Sequence, residues 1–152
     1  MSNQSALPQQ LQSLLDEFEH IDDREMHAEL LIEFADRFSP VPKHVCPRPY
    51  PKERLVPGCE SEAYAWLEPE GNGWRPYFAV ENPHGISAQA LAVILDEGLS
   101  GCSLADYAAV PEDLVYTIFG RNLSMGKGQG LMGMISALKE LARRAQEHEV
   151  AR

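Results

Sequence analysis

The sequence predicts an α+β fold: a small antiparallel sheet of about three strands with helices packed on one face. Three observations predict it. Apolar residues recur at helical spacing near both ends of the chain. Between them, apolar and polar residues alternate with period two about a glycine-bearing turn. Six of the eleven prolines fall within residues 40–57, so no helix crosses that stretch. Helices, then strands, then helices again is the order of a segregated α+β fold, not of alternating βα units.

Taken in order, Leu7, Leu11, Leu14, Leu15, Phe18 and Ile21 form the first apolar stripe, with Pro8 suited to a first-turn position. Asp22 to Glu25 has capping-box spacing, with Asp22 as cap. Met26, Leu30, Phe34 and Phe38 then define a second amphipathic helix. The proline connector follows and is expected to end in a short strand at Arg54-Leu55-Val56. Ala63, Ala65 and Leu67 alternate with Tyr64, Trp66 and Glu68 as a strand. Pro69 to Gly73 is the turn, and Trp74 to Val80 returns, with Pro76 favouring a sheet edge. A buried helix is expected over Ile86 to Glu97 with Gly98 as its stop, a single turn over Leu104 to Tyr107, and a helix over Pro111 to Phe119. Leu131, Met134, Ile135, Leu138, Leu141, Ala142 and Ala145 mark a long last helix.

The expected organisation is a single domain over 1–152. Its parts are N-terminal helices at 7–38, the connector with a cysteine loop at 39–61, a hairpin at 62–81 and C-terminal helices at 86–148. The formal charge of −10 argues against a nucleic-acid partner. No apolar run approaches a membrane span, so no membrane partner is expected. The opening MSNQSALPQQ carries no secretory pattern, and three cysteines make no disulfide framework, which points to a reducing, cytoplasmic setting. Charge is uneven: residues 1–38 hold nine acidic side chains against two basic ones, and residues 121–144 hold five basic ones against Glu140. Two solvated helix faces account for this; an acidic face that meets a basic partner is the sharper reading.

Several chemistries fail on spacing. Gly126-Lys127-Gly128-Gln129-Gly130 departs from a Walker loop, because Gly120 stands too far upstream and Gly128 follows the lysine. It reads instead as a flexible helix entry, whose free N–H groups beside Lys127 favour an anion or thiolate. His44, Cys46, Cys59, His84 and Cys102 include no Cys-x-x-Cys pair, so a metal site would have to be assembled across the fold. A cysteine–histidine pair would need His84 beside Cys59. Cys102 reads as a packed core thiol and Cys46 as an idle one. Cys59 is different: it follows Pro57-Gly58 at a turn tip, where a thiolate can reach a sulfur on another protein.

Val56-Pro57-Gly58-Cys59-Glu60-Ser61-Glu62-Ala63-Tyr64 resembles the V-x-G-C-x-S-x-[VT]-[WY] segment of the SufE-like sulfur acceptor family. Asn122 to Ile135 is similar to that family's L-[ST]-x-x-R-x-x-G-L-x-x-M-I. Order and spacing agree over roughly residues 8–146. The resemblance implies a fold like that of the IscU scaffold proteins. It implies Cys59 as the residue that accepts persulfide sulfur from a SufS/CsdA-like, pyridoxal-phosphate-dependent cysteine desulfurase. It implies delivery to a SufBCD-like iron–sulfur cluster scaffold, with no cofactor or metal of the chain's own. Lys127 stands where the family carries Arg, a point charge in place of a planar fork. Lys127 and Arg121 are the expected thiolate stabilisers. Glu81 to Gly85 replaces an Asp-rich turn of relatives. The alternatives are a metal-binding or cluster-scaffold module, or a thiol-independent adaptor. Gly58 is the expected hinge, and its tolerance of a side chain depends on the sign of its φ.

Overall fold

The structure, a computed structural model, describes residues 7–121 and 123–150. The secretory-signal reading falls partly on residues 1–6, outside that range. Among the described residues, six helices and two strands follow in order: α1 (Gln9–Glu19), α2 (Arg24–Asp36), β1 (Ala63–Glu70), β2 (Gly73–Val80), α3 (Ile86–Leu99), α4 (Leu104–Ala108), α5 (Leu114–Phe119) and α6 (Met125–Val150).

The α+β class holds, with two strands where about three were expected. β1 and β2 pair antiparallel from Ala63↔Val80 to Glu70↔Gly73, around the turn residues Gly71-Asn72. Leu55 reaches the sheet only through an isolated bridge to Tyr64, after a 3₁₀ turn at Lys52–Arg54. Pro51 and Pro57 leave too short a run for a third ladder. Period two splits the sheet into two faces. Ala63, Ala65, Leu67, Phe78 and Val80 join the main core beneath α3 and α6. Tyr64, Trp66, Tyr77 and Ala79 face the other way and are covered by the proline connector through Val41, Val45, Cys46 and Tyr50. The connector is therefore the lid on the second face, and Trp66 is 3% exposed beneath it.

Helix α3 is the centre of the molecule: nine of its fourteen residues are buried, and α1, α2, β2 and α6 all touch it. Its all-round apolar sequence has that cause. Gly98 is not its stop. It lies inside the helix, where a Cβ would come within 2.7 Å of the Leu11 side chain and 3.1 Å of the Leu11 Cα, so it serves the close approach of α1.

Three further boundaries and the burial of one stripe differ from expectation. Asp23, not Asp22, caps α2, accepting from the Glu25 N–H at 2.8 Å, because its backbone is the extended residue at the junction. Pro8 precedes the first turn of α1 as its N-cap. The second stripe runs off the core at its start: Phe34 is 2% exposed, yet Met26 is 56% exposed. α5 begins only at Leu114, with Pro111 to Asp113 forming a turn. Among the described residues no helix is long and apolar enough to cross a membrane.

Candidate functional site: the Cys59 loop and its glycine seat

The Cys59 loop is closed by one backbone bond at its base. The Val56 N–H donates to the Ala63 carbonyl at 2.8 Å, leaving Pro57 to Glu62 as the loop. Gly58 has φ +74° and Glu62 has φ +52°. Both lie in the left-handed region, which turns the chain sharply on either side of the cysteine. The Glu62 N–H donates to the Cys59 carbonyl at 3.2 Å. The segment after β2 braces the loop from outside. The Glu81 N–H donates to the Glu62 carbonyl and the Asn82 N–H to the Ser61 carbonyl, each at 3.1 Å. Asn82 Oδ1 in turn accepts from the His84 N–H at 2.9 Å, so residues 81–85 form a turn of their own.

From inside, the loop rests on α6. The glycine cluster is not a flexible entry; it forms the first turns of that helix. The Ser124 hydroxyl accepts from the Lys127 N–H at 3.2 Å, and the Ser124 carbonyl from the Gly128 N–H at 2.9 Å. That N–H of Lys127 is thus occupied by the cap. Gly130 is where the contact is closest. A Cβ there would stand 3.3 Å from both the Cys59 Cα and the Gly58 carbonyl oxygen. One turn on, a Cβ at Gly133 would stand 3.2 Å from the Pro57 carbonyl oxygen. Glycine at these two positions lets the helix backbone lie against the loop backbone.

Cys59 itself is half-buried and packs against the main core. It opens on a recess of about 40 Å³, lined by Glu60, Ser61, Ser87, Ala88, Gly126, Lys127, Gly130 and Leu131. The structure brings Lys127 to the same recess as Cys59. It puts Arg121 elsewhere, in a depression with Glu19, Asp113, Tyr116 and Thr117. The other cations of the basic stretch are engaged: Arg143 and Arg144 pair with Glu140, and Lys139 pairs with Glu112.

The remaining thiols and histidines lie apart. Cys46 packs on the connector face of the sheet. Cys102 sits at an antiparallel bridge to Trp74, and burial pushes its thiol above the usual range. His84 is exposed in the bracing turn, and His44 lines a separate cavity with Arg37 and Arg75. Among the described residues no three His, Cys, Asp or Glu side chains gather as ion ligands.

Sequence reasoning missed Ser87 and Gly133, and it missed the contact that Gly130 makes with the cysteine loop. A signal existed for the glycines: Gly126, Gly130 and Gly133 fall at i, i+4 and i+7, one face of a helix. Reading the cluster as a flexible helix entry hid that face. Ser87 had no local signal, because only the tertiary fold brings the start of α3 to the cysteine loop.

The α+β fold thus presents Cys59, a half-buried thiol, on a braced loop beside Lys127. The chain belongs to the SufE family: the family model for the SufE Fe-S metabolism associated domain matches residues 12–142. Its role is accordingly in Fe–S metabolism and, in general terms, sulfur transfer. A solved structure is similar as well, the solution structure of a hypothetical protein from Thermus thermophilus. It is 25% identical, with TM-score 0.73 over 93% of this chain and 99% of that one. Comparison with curated proteins finds no match.

Proposed function

We propose that this protein accepts persulfide sulfur on Cys59 from a pyridoxal-phosphate-dependent cysteine desulfurase of the SufS/CsdA kind, stimulates that enzyme, and passes the sulfur to a SufBCD-like cluster scaffold in the cytoplasm. The Cys59 thiolate attacks the terminal sulfur of the desulfurase persulfide. A new S–S bond forms at Cys59, the old S–S bond breaks, and the desulfurase cysteine leaves as a thiolate. Cys59–S–SH results, with no net oxidation. Lys127 stabilises the attacking thiolate and then the anionic end of the persulfide.

The observation that carries this reading is the geometry of Cys59: a half-buried thiol on a six-residue loop, facing a recess of about 40 Å³. Roughly 10–15 Å³ of such space admits one water-sized group, so the recess has room for an added sulfur atom. A carrier must shelter its sulfur between partners, because an open persulfide is lost to small thiols. The loop lies against α6 at Gly130 and Gly133 and is held from outside by the hydrogen bonds from Glu81 and Asn82. A cluster scaffold would need further ligands beside Cys59, and neither Cys46 nor Cys102 lies there.

Intact mass after incubation with a desulfurase and cysteine tests the reading. Wild type should gain one sulfur atom, mapped to Cys59. Cys59→Ser should gain none, and Cys46→Ser should gain it normally. Sulfur acceptance that survives in Cys59→Ser and disappears in Cys46→Ser would assign the role to the wrong thiol.

A further inference from the structure

The recess has a wall that the sequence does not announce. Its floor is apolar, formed by Ala88 and Leu131, which are 1% and 2% exposed. Its polar side chains are Glu60 and Ser61 on the loop, Ser87 on α3 and Lys127 on α6. Among the described residues the Ser61 and Ser87 hydroxyls and the Lys127 ammonium enter no side-chain hydrogen bond or ion pair. The recess thus sets hydroxyl and ammonium donors around a thiol, where they can meet an acceptor atom carried on it.

The two serines are not equivalent. Ser61 belongs to the loop with Cys59, as does the exposed Glu60. Ser61 also packs against Gly85, where a Cβ would come within 2.8 Å of its hydroxyl. Ser87 is in the first turn of α3, the most buried helix of the fold, and stays with the body when the loop leaves.

We propose that Ser87 is a positioning residue for the cargo: its hydroxyl donates to the terminal sulfur of the Cys59 persulfide and holds the loaded loop in the recess. This inference rests on Cys59 as the persulfide carrier. The bond exists only when the second sulfur is present, because that atom extends from Cys59 into the cavity. Ser87 therefore distinguishes the loaded loop from the empty one, favouring retraction after loading. An anionic sulfur is the stronger acceptor, and the Lys127 ammonium lines the same recess.

The test loads Cys59 without any desulfurase. Cys59 is first converted to a mixed disulfide with a small thiol. Hydrosulfide then attacks the Cys59 sulfur and the small thiolate leaves, giving Cys59–S–SH. Cyanide removes the terminal sulfur as thiocyanate and leaves the Cys59 thiolate, and the rate of thiocyanate release is read. Ser87→Ala should release about fivefold faster than wild type, the factor that one ordinary hydrogen bond is worth. Ser87→Thr, which keeps the hydroxyl, should release at nearly the wild-type rate. Alkylation of unloaded Cys59 should be the same in all three. Equal thiocyanate rates in wild type and Ser87→Ala would overturn the proposal. So would a Ser87→Thr variant as fast as Ser87→Ala, or alkylation accelerated in the same proportion, since either would mean that Ser87 only packs the loop. Failure of a desulfurase to load wild-type Cys59 would instead count against the function proposed above, and the chemically loaded comparison would still decide the part played by Ser87.

Discussion

At Gly58 the backbone has φ +74°, and a Cβ built there meets nothing within 4 Å. Any cost of a side chain at this position is therefore backbone strain and not collision. Gly58→Val should lower stability by about 1–3 kcal/mol, read from denaturant midpoints. Gly58→Asn should cost less, because Asn tolerates the left-handed region. At equal folded fraction, Gly58→Val should slow sulfur transfer from a desulfurase more than it slows alkylation by a small reagent. Proportional losses would make the loop a fixed platform. Lys127 is the second informative residue. It is exposed, so its influence on Cys59 is screened by water and salt. Lys127→Ala should slow alkylation of Cys59 near neutral pH by roughly two- to fivefold, the range of an exposed charge pair, and Lys127→Arg should not. The difference should shrink in high salt. An alkylation rate indifferent to both variants would remove Lys127 from the chemistry.

At the scale of the element, α6 and the cysteine loop form one unit. Within a helix, glycine is less favourable than alanine by about 1 kcal/mol, so its presence at Gly130 has a cause other than helix stability. That cause is the 3.3 Å approach to the Cys59 Cα and the Gly58 carbonyl oxygen. In Gly130→Ala the helix gains propensity and the loop must yield by a few tenths of an ångström. The variant should keep its stability to within about 1 kcal/mol, because the two effects oppose each other. Cys59 should alkylate faster, and a persulfide placed on it should be lost faster. A variant with unchanged Cys59 reactivity would show that the loop does not rest on Gly130. Gly126, in contrast, has open space around its Cα, and Gly126→Ala should leave the thiol unaffected.

At the scale of the molecule, Tyr107 ties three elements together. Fully buried on α4, it shares its phenolic proton between the carbonyls of Trp74 on β2 and Leu99 on α3, each at 2.8 Å. Burial pushes its ionisation well above the ordinary value of 10.0, followed by smaller effects of nearby anionic groups. The folded pKa is raised, so the stability that Tyr107 confers is fully present below about pH 10 and is lost as pH rises beyond it. Chemical unfolding as a function of pH should therefore show an alkaline decline. Tyr107→Phe should weaken that decline and should cost about 1 kcal/mol at neutral pH, the net worth of the bond. An alkaline limb identical in wild type and Tyr107→Phe would place its origin elsewhere, with the half-buried Cys102 thiol the next acid to examine.

The sequence by itself determined the α+β order, the hairpin and its turn, and the loop that carries Cys59. These depend on short-range chemistry: period-two alternation in Ala63 to Leu67, glycine at the turn, and Pro57-Gly58 before the thiol. It also carried the family resemblance, since both motifs are contiguous. Only the tertiary structure decided what surrounds the cysteine. Gly98 read as a helix stop because glycine stops helices locally, yet it lies inside α3 to admit Leu11. Met26 read as core because it has the right period, yet the body ends before it does. The glycines before Leu131 read as a flexible helix entry, yet they lie in the first turns of α6, with Gly130 against Cys59. Ser87 carried no signal at all. In each case the deciding contact joins residues far apart in the chain, and local propensity cannot record a partner that only packing supplies.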